Sequence, residues 1–146
     1  MTAVTDCHDR EIIGYELALR DRTKEAARAL EAACLRRFGT LRPEGKTPVV
    51  RSDNGLIFHS RRFRAACLDY RLSQGYITPY TPEQNEFIER FFCSLKEGCV
   101  WHRFGSFEEA KRAITQWIHW YNHGRPHQSL GYLSPPSGRP RTGPYE

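Results

Sequence analysis

The fold of this chain is decided by eight residues, Pro48-Val49-Val50-Arg51-Ser52-Asp53-Asn54-Gly55. The apolar, β-branched start of this run predicts a short buried strand. The Asn-Gly pair behind it is typical of a turn, because glycine adopts a positive φ without steric cost. We therefore expect the Asp53 carboxylate to lie at the end of a buried strand.

Upstream of this run, the pattern predicts a hairpin and then a helix. Residues 12–19 are rich in β-branched and aromatic side chains and indicate a strand, with residues 3–5 as the end of its partner. The helix is predicted to start with Thr23 as its N-cap and to stop at Gly39. Its predicted inward face consists of Ala26, Ala27, Leu30, Ala33 and Cys34.

Downstream, strands and helices continue to alternate. A second helix is predicted over 60–72, a brief strand over 76–78, and a third helix from Glu83 onward. Ser106 and Glu109 have the spacing of a capping box, in which each side chain satisfies a free backbone N–H group. An apolar helix follows this box. This alternation favours an α/β domain.

Composition limits the classes of function. The chain has 146 residues, about one domain, and a formal net charge of +5, which favours a polyanionic partner. No apolar run approaches the ~18 residues that would span a bilayer. No secretory signal is visible, and five cysteines without a CxxC pair indicate reduced thiols. We expect a protein of the cytoplasm that associates with the nucleoid.

Two carboxylates occupy local positions that suit metal ligands. Asp53 ends the predicted strand, and Glu89 lies in a helical segment, residues 85–92, behind the breakers Thr81 and Pro82. Mg²⁺ prefers oxygen ligands, commonly one or two carboxylates together with substrate phosphates. In a basic chain, this pair suggests metal-dependent phosphoryl transfer on nucleic acid.

The spacing of these motifs carries a family resemblance. Residues 54–88, 35 in number, separate Asp53 from Glu89, and Asn85-x-x-x-Glu89-Arg90-Phe91 surrounds the second carboxylate. Further along stands Trp120-Tyr121-Asn122-x-x-Arg125-Pro126-His127-x-x-Leu130-Gly131-Tyr132-x-Ser134-Pro135. Over roughly residues 3–136 the chain resembles the RNase H-like catalytic core of retroviral-type integrases and bacterial insertion-sequence transposases, the DDE group.

The resemblance implies two-metal catalysis on DNA. In that chemistry three carboxylates hold two Mg²⁺ or Mn²⁺ ions ~3.5–4 Å apart, which activate water or a DNA 3′-hydroxyl and stabilise the leaving oxygen. Asp53 corresponds to the second carboxylate and Glu89 to the third. The implied partners are the DNA of the element ends and of the target, and the complete enzyme is expected to be a homo-oligomer.

The first carboxylate of the family is not assigned. Asp6 is the obvious candidate by position, but residues 4–14 resemble the family's turn between its second and third strands, and the first catalytic Asp lies upstream of that turn. The resemblance thus implies an RNase H-like α/β core, a mixed sheet flanked by helices, that lacks its first strand. The expected domain is 1–136, incomplete at its N-terminus, with a flexible tail at 137–146. We expect little or no strand transfer by this chain alone.

Three further residues are candidates for contact with DNA. Asn54 is explained by the turn whatever the function, and it is also placed to approach the metal site. Lys96 stands seven residues after Glu89, on the same helical face, where a phosphate contact and a solvated lysine are equally plausible. Arg125 is expected to position the turn after the last helix or to contact phosphate.

Two other interpretations remain open from the sequence. The chain could be a non-catalytic DNA-binding or oligomerising remnant of a mobile element, or an RNase H-like nuclease in its own right. An upstream in-frame strand that carries an Asp would favour the transposase interpretation.

Overall fold

The computed structural model describes residues 1–20, 22–100 and 103–135. Within these ranges the chain forms four strands and five α-helices. In chain order they are β1 (Thr2–Thr5), β2 (Ile12–Glu16), α1 (Arg22–Phe38), β3 (Val49–Ser52), α2 (Leu56–His59), α3 (Arg61–Asp69), β4 (Ser73–Tyr76), α4 (Glu86–Leu95) and α5 (Phe107–His123). A 3₁₀ turn, Pro82–Asn85, leads into α4, and a π-helical segment, Lys96–Val100, follows it.

The strands pair in two ways. β1 and β2 are neighbours joined by a short turn, which requires an antiparallel hairpin. β3 and β4 are parallel, with Val49 opposite Ser73 and Ser52 opposite Tyr76. The connection between them carries α2 and α3, as a parallel crossover requires. The single mixed sheet expected from the sequence is thus seen, in the described residues, as two sheets of two strands.

The chain divides into two compact units. The first contains residues 1–4 and 13–86, and the second contains residues 5–12 and the described residues from 87 onward. The core of the first unit is formed mainly by side chains of α1 and α3. Its buried side chains are Ala26, Leu30, Cys34, Phe63, Cys67 and Leu72.

β2 packs very closely on α1 in the first unit. A Cβ atom built at Gly14 would lie 2.2 Å from the carbonyl oxygen of Ala29 and 2.8 Å from the Cβ atom of Ala33. No side chain fits in that space. Glycine at this strand position, together with alanines on the facing helix, therefore sets how closely the two elements approach.

The second unit has an aromatic core between α4 and α5. The Phe91 ring is fully buried and makes an edge contact with Tyr121 at a centroid distance of 5.3 Å. Asn122, also buried, accepts a hydrogen bond from the Ile12 N–H group at 2.9 Å and donates to the Ile12 carbonyl oxygen at 2.9 Å. One amide side chain thereby satisfies both backbone groups of a buried strand residue.

Several helix ends agree with the sequence. Gly39 has a φ of +69° and its N–H group donates to the Leu35 carbonyl oxygen, which ends α1. Ser106 caps α5, because its Oγ accepts from the Glu109 N–H group at 3.1 Å. The Glu109 carboxylate accepts from the Gly105 N–H group at 2.7 Å, one residue earlier than in the usual capping box.

Other local predictions were wrong. β3 is not a buried strand: Val49 is 59% exposed, whereas Val50 packs against the core. Adjacent strand residues point to opposite faces, and the helices cover only one of them. Thr23 lies inside α1 because the helix begins at Arg22. β2 is shorter than predicted, and β4 comes earlier, at Ser73–Tyr76.

The tail predicted at 137–146 lies outside the described residues. Over the part of the chain that is described, none of the helices combines the length and apolar character needed to cross a membrane.

Candidate metal and DNA site

Asp53 follows the last residue of β3, with its side chain exposed. Its Oδ1 accepts a hydrogen bond from the Gly55 N–H group at 2.8 Å. This contact two residues along is the turn that Asp favours, and it fixes the direction of the carboxylate. The sequence therefore placed Asp53 correctly at a strand end, although the strand itself is half exposed.

Asn54 ties the Asp53 loop to the neighbouring strand. Its Nδ2 donates to the Ile77 carbonyl oxygen at 3.1 Å. The Ile77 N–H group donates in turn to the Ser52 carbonyl oxygen at 3.0 Å, which extends the pairing of β3 and β4 by one bond. The predicted DNA-binding residue Asn54 thus holds its own loop in place through its side-chain N–H group.

The other side of this loop is held by two residues that the sequence did not indicate. Gln74 and Tyr76 stand on one face of β4 and donate to the Phe58 carbonyl oxygen at 2.8 and 3.3 Å. The Tyr76 ring also stacks on the His59 ring at 4.3 Å, with 6° between the planes. Neither residue belongs to a sequence motif.

Glu89 stands on α4 with its side chain exposed, in the second unit. The opposite face of the helix is anchored by Phe91 and Leu95, which are 0% and 4% exposed. The prediction that Glu89 lies on a helix is correct. Glu86, three residues earlier, is the first residue of α4 and is half-buried.

Lys96 and Arg125 also belong to the second unit. Lys96 is exposed and begins the π-helical segment, so the helix changes its hydrogen-bonding pattern there. Arg125 is half-buried, and its Nη1 donates to the Ser94 Oγ at 2.9 Å. Its guanidinium lies 5.2 Å from the Tyr121 ring centroid. The alternative in which Arg125 positions the turn after α5 accounts for these contacts.

The segment after α5 contains a histidine whose titration is shifted. Burial lowers the pKa of His127; a hydrogen bond to the Tyr121 backbone opposes this, and the Arg125 and Arg10 cations lower the pKa further. Its Nε2 atom is buried and has no hydrogen-bond partner. The His127 ring makes an edge contact with Tyr121 at 5.0 Å. These contacts give the Tyr-Asn-x-x-Arg-Pro-His motif a packing role in the second unit.

Asp6 lies in the turn between β1 and β2 and is 8% exposed. Its Oδ1 accepts from the His8 N–H group at 2.8 Å, and its carbonyl oxygen accepts from the Arg10 N–H group at 2.9 Å. The residue is thus engaged in shaping the hairpin turn, the position that the family resemblance implies for it.

The side chains of Asp53 and Glu89 suit a hard cation by their chemistry. Both are exposed carboxylates, the donors that Mg²⁺ and Mn²⁺ prefer. Across residues 1–20, 22–100 and 103–135, His, Cys, Asp and Glu side chains form no group of three or more that could hold a metal ion.

Two family models, each described as the integrase core domain, match the chain in series. One covers residues 1–82 and the other residues 70–135.

Proteins of insertion elements are among its relatives. The chain is 29% identical over 136 residues to an uncharacterized transposase-like protein of Haemophilus influenzae, covering 92% of this chain and 60% of that protein. It is 36% identical over 106 residues to the uncharacterized 39.2 kDa protein of insertion element IS476 of Xanthomonas euvesicatoria, covering 72% and 28%. It is 29% identical over 143 residues to the putative transposase InsK of element IS150 of Escherichia coli, covering 97% and 49%. The chain thus spans 28% to 60% of the length of these relatives.

Solved structures confirm the predicted RNase H-like fold. The catalytic core domain of BIV integrase matches with a TM-score of 0.64 at 18% identity, over 92% of this chain and 81% of that one. A chain of the simian T-cell lymphotropic virus intasome, solved in complex with PP2A regulatory subunit B56 gamma, matches with a TM-score of 0.66 at 20% identity, over 88% and 45%. From its sequence and its fold, the chain therefore belongs to the integrase core domain family.

Proposed function

We propose that this chain is the part of a DNA transposase that supplies two metal-binding carboxylates, Asp53 and Glu89, for phosphoryl transfer. The observation that carries the proposal is their placement: in a chain matched to the integrase core over 1–135, Asp53 follows β3 and Glu89 stands on α4, both exposed. The proposed reaction is the cleavage and joining of DNA strands at element ends and target, in the cytoplasm at nucleoid DNA.

The chain's own residues would bind and orient the reacting groups. The Gly55 N–H group holds one oxygen of Asp53, and the buried face of α4 holds Glu89 on a fixed helix. Divalent ions bound by these carboxylates would supply Lewis-acid stabilisation of the phosphoryl group and activation of water or a 3′-hydroxyl. Positioning of this kind accounts for much of the catalysis in such reactions.

The basic side chains of the chain, which has a net charge of +5, would hold the DNA. Of the three predicted DNA contacts, Lys96 is the one proposed to bind phosphate directly, because it is exposed and its charge is positive. Asn54 and Arg125 already bond within the protein, so we assign them the shaping of the surfaces that meet DNA. In the complete enzyme we propose a homo-oligomer.

The proposal is tested by Mn²⁺ binding, followed by electron paramagnetic resonance. We expect Asp53→Asn and Glu89→Gln each to weaken Mn²⁺ binding about 10-fold or more, because each removes a charged oxygen donor. Glu108→Gln, which neutralises an exposed carboxylate at the start of α5, is the matched control and should change binding less than about 2-fold. Equal affinities in all three variants would refute the assignment of Asp53 and Glu89.

DNA cleavage distinguishes this function from the alternatives. The resemblance implies a third carboxylate, so we expect little or no strand transfer by this chain alone, with Mg²⁺ or Mn²⁺. Strong turnover that Asp53→Asn abolishes would favour a nuclease in its own right. Strong turnover that Asp6→Asn abolishes would make Asp6 the third ligand. No Mn²⁺ binding and no turnover, with DNA binding retained, would favour the non-catalytic remnant.

A further inference from the structure

The loop that carries Asp53 depends on contacts from outside itself. It leads into α2, which contains only four residues, Leu56–His59, and has no side-chain N-cap. A single helical turn is unstable alone, because nucleation fixes several dihedral angles for one hydrogen bond. The orientation of the loop must therefore come from neighbouring elements.

Ile57 and Phe58 of α2 pack against the core of the first unit, and β4 adds hydrogen bonds from two side chains. The Gln74 Nε2 donates to the Phe58 carbonyl oxygen at 2.8 Å, and the Tyr76 hydroxyl donates to the same oxygen at 3.3 Å. A carbonyl oxygen has two lone pairs, so both donors can be accepted at once. This oxygen lies in the last turn of α2, where helix carbonyls otherwise lack partners.

Two further hydrogen bonds connect Phe58 to the Asp53 carboxylate. The Phe58 N–H group donates to the Gly55 carbonyl oxygen at 3.0 Å, and the Gly55 N–H group donates to the Asp53 Oδ1 at 2.8 Å. Movement of α2 therefore moves the donor that orients Asp53. The stacking of His59 on Tyr76 holds the same turn from its outer side.

We propose that Gln74 and Tyr76 are positioning residues for Asp53: by binding the Phe58 carbonyl oxygen, they fix α2 and hence the Gly55 N–H group that orients the carboxylate. The orientation is a property of the folded chain, and its effect on metal binding rests on the proposed function. Outer residues that orient a metal ligand commonly change metal affinity by about 10- to 100-fold when mutated.

The test compares Gln74→Met with a matched control, Thr47→Val. Gln74→Met removes the donor and keeps an unbranched side chain of similar length. The Thr47 Oγ1 also bonds a backbone carbonyl between the two strand segments, that of Arg71 at 3.1 Å, but this bond lies before β3 and β4 begin, at the end opposite Asp53. Both changes remove one side-chain hydrogen bond from the same unit.

The first measurement is amide hydrogen exchange at Gly55, without metal. We expect exchange to rise about 10-fold or more in Gln74→Met, about 2-fold to 5-fold in Tyr76→Phe, whose hydroxyl makes the longer bond, and less than 2-fold in Thr47→Val. Protection of Leu30 in α1 should stay unchanged and reports that the unit is folded. If Gln74→Met does not fold, Tyr76→Phe decides the question, because it keeps the ring that stacks on His59. Unchanged Gly55 exchange in the folded variant would overturn the proposal.

The second measurement is Mn²⁺ affinity in the same proteins. We expect a loss of about 3-fold to 30-fold in Gln74→Met and less than 2-fold in Thr47→Val. If Asp53→Asn weakens Mn²⁺ binding and Gln74→Met does not, the positioning role is wrong and the proposed function stands. If Asp53→Asn has no effect on Mn²⁺ binding, the proposed function is wrong, and Gly55 exchange still decides whether β4 orients the loop.

Discussion

At the scale of single residues, Gly55 lies directly against the Asp53 carboxylate. A Cβ atom at this position would lie 2.8 Å from the Asp53 Oδ1, inside normal contact distance. The backbone, with φ −64° and ψ 143°, is one that alanine adopts without strain. The absence of a side chain therefore serves the carboxylate and not the backbone.

Gly55→Ala should act on metal binding more than on stability. We expect Mn²⁺ affinity to fall several-fold, because the new methyl group displaces the Asp53 carboxylate, while the free energy of unfolding changes by less than about 1 kcal/mol. Metal titration and urea unfolding measure the two quantities. Leu56→Ala, which truncates a side chain that is 89% exposed, should leave both unchanged. A large loss of stability with normal affinity would contradict the assignment of Gly55 to the site.

Asn122 is the hydrogen-bond partner of both backbone groups of the buried residue Ile12. Asn122→Leu should lower the free energy of unfolding by about 2–5 kcal/mol, because the buried N–H and C=O groups of Ile12 both lose their partner. Urea unfolding monitored in the second unit measures the change. Gln116→Ala, an exposed position on the same helix, is the control and should cost less than about 0.5 kcal/mol. A similar cost for the two variants would show that Asn122 has no special role.

At the scale of elements, the packing of β2 on α1 depends on Gly14. Gly14→Ala should destabilise the protein by about 1–3 kcal/mol or more, because the added Cβ atom would lie 2.2 Å from the Ala29 backbone oxygen, which cannot move without shifting the helix. Thermal unfolding provides the measurement. Ala32→Ser, on the exposed face of α1, should cost only about 0.5 kcal/mol from helix propensity. Wild-type stability of Gly14→Ala would contradict the close approach described for these elements.

Some features of the helices and strands could be predicted from the sequence pattern, and others could not. Helix ends were predictable where one residue decides them, as at Gly39, where glycine takes a positive φ, and at Ser106, whose hydroxyl caps α5. The burial of β3 was not predictable, because Val49 and Val50 are equally apolar and only the helices that pack on one face distinguish them. The same holds for β4, whose limits are set by its pairing with β3.

At the scale of the whole molecule, buried thiols make the free energy of unfolding depend on pH in the alkaline range. Burial raises the pKa of Cys67 from 9.0 to about 11, the nearby Cys34 thiol raises it as well, and a backbone hydrogen bond opposes the shift. Burial also raises the pKa of Cys34 and of Tyr70 in the same unit. The folded chain keeps the Cys67 proton over a range where the unfolded chain releases it, so the stabilising contribution of Cys67 is complete below pH 9.0 and is lost as the pH rises to about 11. The raised pKa values of Cys34 and Tyr70 act in the same direction.

We therefore expect the free energy of unfolding to fall between pH 9 and pH 11. In Cys67→Ala the protein should be less stable at neutral pH, because a buried side chain is truncated, and the alkaline slope should be reduced but still present, since Cys34 and Tyr70 remain. Urea unfolding at several pH values gives the slope. Cys93→Ala, at an exposed cysteine, should keep the wild-type slope. Identical slopes for Cys67→Ala and Cys93→Ala would contradict this linkage.

The sequence by itself determined the order of the strands and of the longer helices, the positions of Asp53 and Glu89 within them, and the family, because each depends on local periodicity, on turn residues or on motif spacing. The short helix α2 was not predicted. The tertiary structure alone decided which distant groups form hydrogen bonds with one another. Gln74 and Tyr76 bind Phe58, and Asn122 binds Ile12 from 110 residues away. Such contacts depend on which surfaces come together when the chain folds, and the partners of a hydrogen bond between distant residues leave no periodic or local signal in the sequence.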